Sequence, residues 1–328
     1  MATGQNIRAS EYNAIRDKVE QILGTGGAVG KIRGYGQPLI SIPVNAEVDI
    51  ITRSQWEALR RDILNIKIHQ ENPKNPEGDV ILPFVIPIED PIRFGSSYPN
   101  TNFSNLIDQL TITSLQIAEG RSVISSATDS PKQRTTAWST KVSCEITVSF
   151  NGYTRLDEYG VSPWDHARFF FNSGGRIRLS SSRSGGSTTL QNNAWTALLV
   201  QAAIRTIAAK DPADVNFYSL TPSYQTLYQI SSSASYAANN YKIEVKGDNF
   251  DVTSQIPATL IFRVTWEDGY QDLNPSIPPP DLVDGTLSLI VEESKATGLI
   301  FKSVIGNAPT GTWELPSPTY SITDIVDV

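Results

Sequence analysis

The sequence predicts an α+β fold: a mainly antiparallel β body with two or three helices, plus a helical arm at its N-terminal end. Three observations lead to this prediction. Several segments alternate strictly between apolar and polar residues, two early segments carry apolar residues at three-four spacing, and proline-rich stretches separate the two kinds of pattern. With 328 residues, of which 39% are hydrophobic and 19% charged, the chain can bury a sizeable core.

Residues 1–70 form the predicted helical arm, which serves as an assembly segment. The first helix follows Ser10 as its N-cap, and the second follows Thr52, which matches a capping box with Gln55 three residues later. Each helix has one apolar stripe, made of Tyr12, Ile15, Val19 and Ile22 in the first and Trp56, Leu59, Ile63 and Ile66 in the second. The stripes either pack within the chain, as a helical hairpin or on the body, or bundle with copies from other subunits, because three-four spacing is also the seam of a coiled coil.

The rest of the chain divides into three predicted parts. Residues 71–104 are a proline-rich linker, because their six prolines exclude a continuous helix or a central strand. Residues 105–274 are the α+β body. Residues 275–328 continue a proline-rich hinge, NPSIPPPD, and then provide C-terminal strands that complete the body or a neighbouring subunit.

The clearest predicted strand runs from Trp138 to Phe150, where the even positions are apolar or cysteine except for Thr140 and every odd position is polar. This alternation is typical of an antiparallel strand with one buried and one wet face. Cys144 falls on the buried face, which favours a structural cysteine over a nucleophile. Further strands are predicted around Leu260–Trp266, around Leu287–Val291, and in TLYQISSS and NNYKIEVKGD, which a Ser/Ala/Asn-rich turn joins.

The block FFFNSGGRIRLSSSRSGGSTTL, residues Phe169–Leu190, places two glycine pairs around three arginines and so invites comparison with a phosphate-binding loop. Such loops follow a strand and lead into a helix. Here the order is reversed, because Ser162 and Pro163 predict the start of a helix that stops at 172–175, and the residues that follow alternate as a strand. The block therefore predicts a helix, a stop, a strand and a turn. Another helix is predicted from Asn193 to Ile207.

Composition excludes several classes of chemistry. Cys144 is the only cysteine, and the two histidines, His69 and His166, are not in a metal-ligand spacing. The net charge of −7 argues against a nucleic-acid binder, and no apolar stretch is long enough to span a membrane. The start lacks the order of a secretory signal. We therefore expect a soluble protein of a reducing cytoplasm that is not an enzyme and has no catalytic, cofactor or metal site.

Three blocks carry a family resemblance. The first block is Trp164–Arg178, which contains the start of the stretch FFNSGGRIRLSSSRSGG. The other two are GYGQ (Gly34–Gln37) and ITRSQWEALRRDI (Ile51–Ile63). Together the three blocks resemble virion structural proteins of contractile-tailed bacteriophages that infect cyanobacteria. The resemblance covers these blocks and the sheet around them. It implies a location in the virion after synthesis in the host cytoplasm, and an assembly role, and it supplies no catalytic residues.

On this basis we expect a structural subunit of the tail, neck or baseplate, including an adaptor that holds fibres. It would form a homo-oligomer and bind other virion proteins by burying the helical stripes and pairing strand edges. Arg176 and Arg178, on the predicted exposed face of a strand, are additional candidates for partner contacts.

The alternative interpretation is a receptor- or glycan-binding adhesion module of a phage fibre, with a host surface glycan as partner. Aromatic rings in turn-rich segments favour it, because such rings stack on sugars as readily as they anchor protein interfaces. They are Tyr153, Tyr159, Trp164, Tyr218, Tyr224, Tyr228, Tyr236, Tyr241 and Tyr270.

Overall fold

The computed structural model describes residues 9–22, 39–45, 51–71, 122–154, 160–209, 215–252, 255–270, 282–296, 299–302, 309–313 and 315–328. The helices in these ranges are α1 (Ala9–Ile22), α2 (Arg53–Glu71), α3 (Pro163–Asn172) and α4 (Leu190–Ala202). The strands are β1 (Ser122–Ser126), β2 (Lys132–Arg134), β3 (Lys141–Ser149), β4 (Tyr153–Thr154), β5 (Gly160–Val161), β6 (Arg176–Ser184), β7 (Arg205–Ile207), β8 (Gln225–Ser231), β9 (Asn240–Phe250), β10 (Pro257–Glu267), β11 (Thr286–Ala296), β12 (Leu299–Lys302), β13 (Pro309–Trp313), β14 (Thr319–Ile322) and β15 (Val326–Asp327). The predicted α+β fold with a β-dominated body is confirmed.

The first of two large antiparallel sheets has the strand order β1–β11–β6–β7, and β2 extends the β1 edge by pairing with the other half of β11. Strand β6 alternates as predicted: Ile177 and Leu179 are buried, whereas Arg176 is exposed and Arg178 is half-buried. The outer face of this sheet is therefore polar along its central strands.

The second sheet has the strand order β14–β3–β10–β9–β8, and β15 also pairs with β3. The predicted alternation is confirmed over β3, since Val142, Cys144 and Ile146 are buried and Glu145 is exposed. The predicted start at Trp138 is wrong, because β3 begins at Lys141 and Trp138 forms an isolated bridge to Val283. The strand pair predicted in TLYQISSS and NNYKIEVKGD is present as β8 and β9.

The inner faces of the two sheets share one hydrophobic core. Its largest fully buried side chains in the body are Trp195, Trp266, Tyr241, Phe170, Phe171, Phe217 and Phe262. A buried hydrogen bond of 3.0 Å between the Ser181 hydroxyl on β6 and the Tyr241 hydroxyl on β9 joins the sheets across this core. Because both hydroxyls are out of contact with water, their pairing avoids the cost of an unsatisfied buried polar group.

Helix α3 begins as the sequence predicts. The Ser162 side chain accepts a hydrogen bond from the Asp165 backbone N–H, and Pro163 occupies the first helical turn. The helix inserts Phe170 and Phe171 into the core, then stops at Gly174, whose φ of 89° few other residues adopt easily. The arginine-rich block is thus a helix, a stop, a strand and a turn.

The prediction of one helix from Asn193 to Ile207 is wrong at both ends. Helix α4 starts three residues earlier, where the Thr189 side chain accepts a hydrogen bond from Asn192 N–H. It ends before Ala203, which has a φ of 52°. The chain then returns as β7, because Ile207 can be buried opposite Ile177 of β6. No glycine or proline marks this helix end, so tertiary pairing decides it.

The N-terminal helices pack on each other and on segment 39–45. The Thr52–Gln55 capping box is confirmed, with Thr52 N–H donating to Gln55 Oε1 at 2.8 Å and Gln55 N–H donating to Thr52 Oγ1 at 3.3 Å. Ser10 is not a cap, because α1 already begins at Ala9. Buried Asp62 accepts bonds from the N–H groups of Ile40 and Ser41, which fixes segment 39–45 against α2.

Two short hairpins, β4–β5 and β12–β13, accompany the large sheets, and β12 lies next to α2. The predicted linker 71–104 beyond Glu71, and the whole of the hinge NPSIPPPD, lie outside the described residues. None of the described helices is long and apolar enough to cross a membrane.

Candidate functional site

The apolar stripes proposed as subunit contacts are largely covered within one chain. Five of their side chains are buried: Tyr12, Ile15, Val19, Leu59 and Ile63. Trp56 is half-buried, and the side chains of Ile22 and Ile66 lie outside the described residues. This burial agrees with a helical hairpin within the chain, and a role of these residues between subunits stays a prediction.

The two candidate arginines lie on the outer face of the first sheet. Arg178 is half-buried and its Nε lies 3.6 Å from a carboxylate oxygen of Glu292 on β11, whereas Arg176 is exposed. A half-exposed pair of this kind contributes little to stability. Arg176 is therefore the more available of the two for a partner.

The cysteine and the body's histidine are buried and have protein partners. The Cys144 thiol lies in the core, where burial raises its pKa to about 11, and it donates to the Thr323 carbonyl. Burial lowers the pKa of His166, and its Nε2 lies 2.9 Å from the carbonyl of Pro316. Within the described residues, no group of three or more His, Cys, Asp or Glu side chains could hold a metal ion.

The aromatic residues singled out by the sequence already have partners inside the chain. Arg263 covers the Tyr224 ring at 4.2 Å and Arg205 covers the Tyr228 ring at 3.5 Å, both measured to the ring centroid. Tyr241 is fully buried. The other described members contact a ring or a backbone carbonyl: Tyr153 with His166, Trp164 with Asn249, Tyr218 with Phe217, and Tyr236 with Tyr270. Tyr159 lies outside the described residues.

A charged groove lies on the outer face of the second sheet, with a volume of about 330 Å³. At its centre Glu244 accepts bonds from Lys242 at 2.6 Å and Arg263 at 2.7 Å. Burial by itself would raise the pKa of Glu244, but these two cations outweigh it and hold the pKa below its ordinary value. The centre therefore carries one net positive charge, and both cations already donate to Glu244, which reduces what they offer to a charged ligand.

The outer side of α4 is the main candidate site. Leu190 and Val200 are 75% and 76% exposed, and Ala197 between them is also exposed. The helix, LQNNAWTALLVQA, has no charged residue, although its inner face is already used by Trp195 and Leu199 in the core. We call Leu190, Ala194, Ala197, Val200 and Gln201 the α4 outer face. Asn193 is also exposed on this side, so the helix surface is uncharged although not wholly apolar. Large aliphatic side chains exposed on such a helix are more often found where a partner packs.

A groove of about 320 Å³ adjoins this face. It lies between the α4 outer face and the turn that joins β8 to β9, where Ser232, Ser233, Ser235 and Tyr236 line it. Tyr236 is its only titratable side chain. Such a lining can bury an apolar partner surface and hydrogen-bond its rim, but it supplies no acid, base or nucleophile at neutral pH.

The sequence predicted a helix here, but it did not predict which side of that helix stays exposed. A signal was present, since apolar residues occur on every side of the helix and no charge interrupts them. Comparisons of the chain with protein-family models, with curated proteins and with solved structures find no match.

Proposed function

We propose that this chain is a structural subunit of a tailed-phage virion, placed in the tail, neck or baseplate, where it associates with copies of itself and with other virion proteins. The phage assignment rests on the resemblance of the blocks Gly34–Gln37, Ile51–Ile63 and Trp164–Arg178. The assembly role rests on one structural observation, the uncharged and exposed outer face of α4.

That face fits association better than catalysis. Exposed aliphatic side chains on an uncharged helix beside a groove are typical of protein interaction sites. Burying it removes Leu190 and Val200 from water, at about 25 cal/mol for each Å² of apolar surface buried. The chain's net charge of −7 keeps copies apart elsewhere, whereas a contact made through a neutral helix avoids this repulsion.

Sheet edges offer a second means of association. Among the described strands, β1 and β8 each end a sheet and have a neighbour on one side only. On β1, Val123 and Ile124 are both about half exposed although they point to opposite faces of the sheet. Short uncharged edges of this kind can pair with a strand of another chain.

The alternative, a receptor- or glycan-binding module, has less support. Sugar recognition through stacking needs open ring faces, and Tyr224 and Tyr228 are covered by arginines. The charged groove on the second sheet is the feature that favours this alternative. Saturable binding on an array of host polysaccharides, lost when Gln229 or Asn240 in the groove is replaced by alanine, would establish it.

The proposal is tested by counting the chain in particles. Virions of the phage that encodes it are purified, and the copy number of the chain per particle is measured by quantitative mass spectrometry against the major capsid protein. We expect a fixed, symmetric copy number that survives further purification. A chain found only in infected-cell lysate and not in particles would overturn the assignment.

A further inference from the structure

The last described segment of the chain, residues 315–328, is attached to the body like a bound peptide. Strands β14 and β15 add to the edge of β3, with Ser321 opposite Thr147 and Val326 opposite Ser143. Between them the Thr323 hydroxyl accepts from the Glu145 N–H at 2.8 Å. An extended segment that completes a sheet edge in this way is a common mode of peptide recognition.

Three side chains anchor the segment in the core. Leu315, Ile322 and Ile325 are each at least nine-tenths buried, although the residues around them are largely exposed. Backbone pairing alone would bind segments of many sequences, whereas the burial of these three side chains favours the sequence of residues 315–328.

Polar groups of the body also form hydrogen bonds with this segment. Buried Glu293 on β11 accepts from the hydroxyls of Ser317 and Tyr320. At the other end Arg134 binds both carboxylate oxygens of Asp327 at 3.0 Å and donates to the Ile325 carbonyl. Apart from Asn151, which follows β3 and donates to the Thr319 hydroxyl, the described polar contacts of the segment go to residues of the two sheets and of α3, and none goes to α1, α2 or the β12–β13 hairpin. The acceptor surface, defined here as the β3 edge with Arg134, His166 and Glu293, is therefore complete within the sandwich.

The connection to this segment is far longer than its path requires. The Lys295 ammonium at the end of β11 lies 3.1 Å from the Ser317 hydroxyl, so a loop of about two to six residues would suffice there. Instead residues 297–314 intervene, of which Leu299–Lys302 and Pro309–Trp313 pair as the β12–β13 hairpin; with that hairpin opened, the connection would reach roughly 60 Å. Opening the hairpin would let the segment reach another molecule while the sandwich and the segment keep their structure.

We propose that in the assembled protein the acceptor surface of each copy receives residues 315–328 of a second copy. This inference rests on the proposed assembly function and names its partner. The exchanged strand buries the same three anchors and makes the same bonds to Glu293 and Arg134, so exchange costs the pairing of the β12–β13 hairpin and the entropy of association.

The test places cysteines at Thr147 and Ser321 in the full-length chain, because directly opposite residues in an antiparallel pair are close enough for a disulfide. Buried Cys144 is left unchanged. The protein is oxidised mildly, its molar mass is measured by light scattering, and denaturing non-reducing gels then show whether the disulfide joins two chains. Co-expressed single variants, Thr147→Cys with Ser321→Cys, report the same exchange without a second cysteine in either chain.

An oligomer whose chains are joined covalently would support strand exchange. An oligomer that contains only disulfides within single chains would overturn this inference and leave the proposed function standing. A single-chain mass with internal disulfides would overturn both. In the control, the cysteine paired with Ser321→Cys is placed at Thr226 on β8 instead of at Thr147. Strands β9 and β10 separate β8 from β3, so this control should give no specific disulfide product.

Discussion

His166 shows how the fold fixes the charge of a single residue. Its ring is packed edge-on between Phe150 and Tyr153, at centroid distances of 5.2 and 5.1 Å. The Pro316 carbonyl can only accept, so Nε2 carries the proton in the neutral ring. Burial lowers the pKa of His166, although the Pro316 carbonyl and the charge of Glu293 act in the opposite direction. The folded protein therefore binds a proton here less readily than the unfolded chain does.

This lowered pKa predicts acid sensitivity. An unfolded histidine has a pKa of about 6.5, so below that pH the unfolded chain takes up a proton that the folded protein resists. The stabilisation is present above pH 6.5 and is lost as the pH falls, by at most about 1.4 kcal/mol for each pH unit. Urea unfolding at pH 7.5 and pH 5.5 measures it.

The His166→Gln variant should lose most of this pH dependence, whereas His69→Gln in α2 should keep it. Equal pH dependence of the free energy of unfolding in wild type and His166→Gln would contradict the account.

For single residues, the sequence predicts burial well, but it predicts poorly which side chains a buried residue contacts. The alternation of β3 places Cys144 inside, and the structure agrees. The partners of Glu293 could not be predicted, because Ser125 lies 168 positions away and Tyr320 lies 27 positions away. Side-chain partners that distant depend on the packing of whole sheets, and local pattern carries no information about them.

At the scale of elements, local chemistry decides the starts of helices. Thr52 and Ser162 cap α2 and α3 as expected, since capping uses residues within one turn. The predicted end of α4 was wrong because the last residues of the predicted helix form β7 instead. Strand β7 pairs with β6, and the local sequence around α4 carries no signal for that pairing. Long alternating strands, such as β3 and β10, were predicted most accurately because one face of each is buried throughout.

The α4 outer face gives a prediction at this scale. Replacing both Leu190 and Val200 by lysine should lower the molar mass of the protein at a fixed concentration, because two charges would then be buried in the contact. The free energy of unfolding should change by no more than about 0.5 kcal/mol, since both side chains are exposed in the single chain.

The matched control is Val252→Lys, which makes the same exchange at a valine that is 94% exposed in the turn after β9. Equal effects of the two substitutions on molar mass would show that charge alone, and not the α4 outer face, controls association.

For the whole molecule, the described residues combine a well-packed sandwich with surfaces that one chain leaves open. The core is continuous between the sheets, and polar contacts such as Arg134 with Asp327 hold one pair of sheet edges together. The outer face of α4 and the edges β1 and β8 have no such cover among the described residues. Sequence patterns predicted the mainly antiparallel β body, but they could not locate the open surfaces, because exposure depends on how the elements come together.

Light scattering on the full-length chain tests the central claim most directly, which is that copies of this protein associate through surfaces that one copy leaves open. We predict a molar mass that is a whole multiple of 35.9 kDa, falling toward one chain on dilution. A mass of one chain at every attainable concentration would contradict the claim.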